Sequence, residues 1–119
     1  MFKGLAVLVF TLFMTACSTV MAGYNPTFKP KELAQSIVLC ADKESAVHLL
    51  TLVDDRDTLR AALEHPNFPC GPSGIPVTLE EFVDSGVDYE NDRLELWLVS
   101  NPQNPAQTAF AFVLAGRES

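Results

Sequence analysis

Basic residues are scarce in this chain. Eight lysines and arginines stand against fifteen aspartates and glutamates, a formal charge of −7 at neutral pH. Such a surface repels nucleic-acid phosphates and gives no adhesion to anionic lipid. It suits a cationic partner and equally serves plain solubility. Histidine is nearly absent, with only His48 and His65. Together with three scattered cysteines they show none of the clustered C-x-x-C and H-x-x-x-H spacing that zinc requires. The chain also lacks a G-x-S-x-G elbow, a phosphate-cradling glycine loop, an H-E-x-x-H pair and a dinucleotide fingerprint. No catalytic, cofactor-binding or metal-ligating set is therefore assigned. An apolar run of about 20 residues, the length that spans a bilayer, does not occur. Neither an internal repeat nor a linker to a second domain is visible.

What is present begins with an address. Lys3 gives a positive start, residues 5–14 are apolar apart from Thr11, and small residues follow. This order reads as an export signal. Two cleavage readings stand. Val20-Met21-Ala22 before Gly23 fits a general signal peptidase, making 1–22 the signal peptide and leaving 97 residues. Alternatively, Met14-Thr15-Ala16-Cys17 resembles the lipobox of bacterial lipoproteins, although Met14 departs from the usual leucine. On that reading 1–16 is removed, Cys17 is lipidated and 103 residues remain. Ser18 is not the aspartate of an inner-membrane retention signal, so the resemblance implies an outer-membrane anchor. Either way the protein is expected to be exported, periplasmic or membrane-anchored through Cys17. Residues 23–35, with Pro26 and Pro30, read as a flexible tether, and 36–119 as the exported domain.

A domain near 100 residues is small enough to benefit from a staple. With Cys17 in the leader or under a lipid, Cys40 and Cys70 remain in an oxidising compartment and are expected to form a disulfide. Closing about 30 residues contributes roughly 3–4 kcal/mol in the chain-entropy model. Thiolate roles beside His48 or His65 would need a free thiol, which that bond removes.

The fold class expected is α+β: a small single domain with an antiparallel sheet of three to four strands. One or two helices pack on one of its faces, and one disulfide staples it. Residues 36–40 are apolar and β-branched and read as a strand. Asp42 caps a helix over about 43–53, whose stripe is Ala46, Leu49, Leu50 and Val53. Asp55 caps a second helix with Leu59, Ala62 and Leu63 on its apolar face, ended by Pro66. Residues 66–76, rich in proline and glycine, read as a loop. Residues 77–85 carry both a capping-box spacing, Thr78 and Glu81 with Gly86 as a stop, and a strand face of Val77, Leu79 and Val83. The strand is preferred. Residues 93–99 and 108–114 alternate and read as strands, joined by a loop over 100–107.

The acidic stretch Asp84, Asp88, Glu90 and Asp92 reads as a solvated hairpin loop. An EF-hand would want glycine and glutamate where Arg93 and Val99 stand. Asp54, Asp55 and Asp57 read as caps and a turn. Trp97 shares its strand face with Glu95 and Val99, away from the leucines that meet the helices. It is the candidate partner contact, provided Tyr24 and Phe28 do not cover that face. Small periplasmic lysozyme inhibitors are exported domains of this size, but their Gly/Ser/Tyr-rich loop has no counterpart here. The functional expectation is an exported accessory or binding domain serving an envelope protein. The alternative is a small envelope hydrolase using acidic residues.

Overall fold

The computed structural model of the chain describes residues 24–117. The leader, both cleavage positions and Cys17 lie outside the described residues. Strand β1 (Leu33–Cys40) leads into helices α1 (Lys43–Leu50) and α2 (Arg56–Glu64). Strands β2 (Cys70–Pro72), β3 (Pro76–Val87), β4 (Asp92–Asn101) and β5 (Asn104–Arg117) follow. Among the described residues no helix is long and apolar enough to cross a membrane.

The helices start where their caps direct. The Asp42 carboxylate accepts the Ser45 N–H at 2.7 Å, and Asp55 accepts those of Asp57 and Thr58. Helix α1 ends at Leu50, three residues before the expected Val53. The Thr51 and Leu52 N–H groups reach only three residues back, to His48 and Leu49, so the last turn tightens and the helix stops. Val53 still enters the core, but from a turn. Helix α2 buries none of its residues completely and only half-buries Leu59, Ala62 and Leu63.

The sheet has five strands, one more than the upper expectation, and every pairing is antiparallel. Two misread loops account for the difference. Within the Pro/Gly-rich 66–76 segment, residues 70–72 pair with β1 as a three-residue strand, where Pro72 is tolerated because the strand is short and peripheral. The expected loop over 100–107 is mostly strand. Asn101 pairs with Asn104 around a two-residue turn at Pro102 and Gln103, and the Asn101 side chain accepts the Gln103 N–H at 2.9 Å. Pro105 falls where the register shifts, so its missing N–H costs no regular ladder bond.

Residues 77–85 are strand, as preferred. Gly86 is no helix stop: it lies inside β3, and a Cβ there would meet Leu50 Cδ1 of α1 at 2.9 Å. Glycine lets the helix approach the strand at this point.

Strands β3, β4 and β5 form a meander, and β5 returns to pair with the second half of β1 while β3 pairs with the first. The sheet thus closes on itself, and register shifts in the β1–β5, β3–β4 and β4–β5 pairs supply curvature. Its outer face, with Leu94, Leu96 and Phe112, packs on Ala46 and Leu49 of α1 and on Val53. Its inner face holds Val77, Leu79, Trp97, Val99, Ala111 and Val113.

Cys40 and Cys70 face each other across β1 and β2 and are disulfide-bonded, with both helices inside the 30-residue loop. Reduction, or Cys40→Ala with Cys70→Ala, is expected to lower stability by about 3–4 kcal/mol. Urea denaturation reads that loss, and the intact mass of the oxidised protein should rise by about two hydrogens on reduction.

Candidate functional site

The inner face of the sheet carries an ionisable group at its centre. Glu95 on β4 is fully buried, on the same face as Trp97. Its carboxylate is saturated with donors. The Tyr24 hydroxyl and the Thr27 N–H both donate to Oε2 at 2.6 Å, and the Trp97 indole N–H donates to Oε1 at 2.9 Å. The Phe28 backbone adds a further hydrogen bond. Burial by itself would raise this carboxyl, but the donated bonds outweigh it and hold the group below the ordinary carboxylate range. The Tyr24 phenol is pushed up, first by burial and then by its bond to the Glu95 anion.

Residues 24–28 therefore form a strap across one half of the inner face. Tyr24 stacks on Phe82 at 5.8 Å, Phe82 meets Trp97 edge-on at 5.6 Å, and the Arg93 guanidinium lies 5.0 Å from the Tyr24 ring centre. Phe28 packs into the inner cluster. Two expectations change as a result. Trp97 is 1% exposed, so it is a core residue and offers no surface to a partner. The segment expected as a tether over 23–35 is hydrogen-bonded to the sheet from Tyr24, and β1 already begins at Leu33. The physical reason is shared: a buried carboxylate must be supplied with donors, and this segment supplies them.

Past the strap, no other described segment covers the same face. Leu39, Val77, Val99 and Ala109 belong to the inner cluster and floor a groove of about 450 Å³. Ile75, 54% exposed, and Pro76 line it from the β2–β3 connection. Pro102, Gln103 and Gln107 line it from the β4–β5 hairpin, where the Asn101 side-chain amide donates to Gln107 Oε1 at 2.9 Å. Ser100 lies on the wall and donates to Glu80 Oε2 at 2.6 Å. Lys31 also pairs with that carboxylate, and the Lys31 and Ser100 bonds hold Glu80 below its ordinary range. No charged residue lines the groove, and none occurs in the sequence from Leu96 to Gly116.

The remaining candidates fall into place around this face. His48 and His65 line one cleft with Phe68, between the helices. The two cysteines are bonded to each other and unavailable as thiolates. Asp88, Glu90 and Asp92 present carboxylate oxygens within 4.8 Å of one another at the exposed β3–β4 hairpin. One Asp88 oxygen there accepts the N–H groups of Glu90 and Asp92, which makes it a turn-forming side chain. Sequence reasoning missed Glu95. The signal was its alternation with Trp97 and Val99, which places a carboxylate on a face that otherwise reads as apolar.

No protein-family model, curated protein or solved structure matches the chain.

Replacing Glu95 tests the strap directly. Glu95→Gln removes the charge while keeping the shape, and is expected to cost about 1–3 kcal/mol at neutral pH. Because the folded carboxyl lies below its unfolded value, its contribution is complete above the unfolded pKa of about 4.3 and is lost as pH falls through the folded value. Thermal unfolding at pH 7 and pH 3 should therefore show a gap between wild type and Glu95→Gln that narrows in acid.

Proposed function

We propose that the protein is a small exported accessory domain that binds an envelope protein, and that the open half of the inner face receives an uncharged apolar segment of that partner. The reading is carried by one observation: the groove is apolar-floored and free of charge in a protein whose acids outnumber its bases almost two to one. A charged occupant would lose hydration there without gaining an opposite charge. The volume, about 450 Å³, lies within the range of ligand-binding clefts, and the mouth of a closed sheet is a common place for one. The strap adds a second support. It already lays Phe28 and the backbone of Thr27 onto the neighbouring half of the same face, so that surface accepts extended chain.

Export is supported by the charged, apolar and small-residue order of the leader, and the disulfide accords with an oxidising compartment. Anchoring through Cys17 rests on the lipobox resemblance. The carboxylate-hydrolase alternative calls for two carboxyl groups in one cleft with unlike environments. Neither the groove nor the cleft holding His48 and His65 has an acid in its wall, and the cleft beside Tyr89 has Glu64 alone.

A photo-reactive residue at Gln103, on the groove, is to be compared with one at Glu44 on α1, in the full chain expressed in a bacterial envelope. The expected outcome is a discrete protein adduct from position 103 only. Ile75→Asp, which puts charge on an exposed wall residue, should abolish it without lowering the melting temperature. Adducts from both positions, or from neither, would refute the groove as the binding surface.

A further inference from the structure

A separate cleft lies on the far side of α2. Arg56 and Arg60, one helical turn apart, line a cavity of about 410 Å³ with Tyr89, and Leu59, Leu63 and Pro72 give it an apolar wall. The other two described arginines are engaged: Arg117 pairs with Asp92, and Arg93 bonds Ser85 and covers Tyr24. Among the described residues Arg56 and Arg60 have no carboxylate within ion-pair distance. Arg56 also occupies the first turn of α2, the end of the helix where a cation is unfavourable to the dipole. Arg56 is therefore mildly unfavourable where it stands, and neither guanidinium group on this wall is neutralised by a carboxylate of the described residues.

The surroundings narrow what would offset that cost. Tyr89 is fixed from behind, its N–H donating to the Val53 carbonyl at 2.9 Å, while 44% of the residue stays exposed. Glu64 shares the lining, and Asp57 and Glu90 are neighbours in sequence of the lining residues. The long-range field is therefore not attractive to anions, and recognition must be made at contact. Guanidinium groups do this with planar, paired hydrogen bonds to a carboxylate. The leucines and proline suit a hydrocarbon body beside it.

We propose that this cleft binds a carboxylate carried on a short apolar body, with Arg56 and Arg60 holding the carboxylate and Leu59, Leu63 and Pro72 packing against the body. The site is independent of the groove on the inner face. Two sources share this chemistry, a fatty acid and the C terminus of an apolar peptide.

The test is an NMR titration of the isotopically labelled protein with three probes: octanoate, acetyl-leucyl-leucine and, as the neutral counterpart, octanol. At least one acid should shift the Arg56 and Arg60 side-chain signals and the Tyr89 ring saturably in the millimolar range, while octanol does not. A response to octanoate alone identifies the acyl source, and a response to the dipeptide alone identifies the peptide terminus. Arg56→Gln with Arg60→Gln should weaken binding by about tenfold or more, the loss of at least one charged hydrogen bond. Both residues are exposed, so the melting temperature should not fall. The proposal is overturned if neither acid saturates, if octanol shifts the same signals, or if binding survives in the double variant.

Discussion

A carboxylate in the middle of an apolar sheet face is the constraint around which this domain is arranged. Glu95 cannot be taken out of water unless its oxygens are filled with donors. Trp97 provides one from the same strand, two positions along. The others come from residues 24–28, which β1 and β4 alone could not have recruited. The segment before the first strand is thereby made part of the fold, and its aromatic side chains close over Phe82 and Trp97. An apolar residue at 95 would bury well with no strap at all, so the charge selects one arrangement of the N-terminal segment over the many that hydrophobic contact would permit.

The covalent and topological constraints act on the opposite face. The disulfide fixes the end of β1 to the start of β2, and the intervening helices are held at both ends of a closed loop. That matters most for α2, which has no fully buried residue and would otherwise depend on two half-buried leucines, one alanine and an N-cap. Closure of the sheet through β1 and β5 removes part of the edge exposure that a short meander would leave. A bulged β4–β5 hairpin with Pro105 blunts the portion that extends past β1.

Much of this was legible in the sequence. The caps at Asp42 and Asp55, the alternation in β4 and β5 and the pairing of Cys40 with Cys70 are local signals, each tied to a backbone need or to redox chemistry. What was not legible depended on distant partners. Residues 70–72 look like a loop until β1 lies beside them. Asn101 and Asn104 look like loop residues because asparagine is common in turns of any length, and only the pairing register shows that the turn has two residues. The strap was visible only as the condition attached to Trp97, since Tyr24 and Phe28 carry no periodicity. The groove could not be read at all, because its floor draws Leu39, Val77, Val99 and Ala109 from four strands.

The distribution of charge explains why the two halves of the inner face differ. Where the chain has a charge to satisfy, at Glu95, its own N-terminal segment is bound. Where it has none, from Leu96 through Gly116, the described residues leave the face past the strap open. Covering it with another part of the same chain would gain apolar burial worth about 25 cal/mol per Å². It would also cost about 1–2 kcal/mol of backbone entropy for every residue ordered. At the strap, donation to a buried anion tips that balance toward order. At the groove no such term exists for the chain itself, and an extended partner segment that is already ordered in its own protein would bring the burial without the same entropic penalty. The same rule thus accounts for both halves among the described residues: this surface holds a segment of its own chain where a buried charge, beyond apolar contact, favours it.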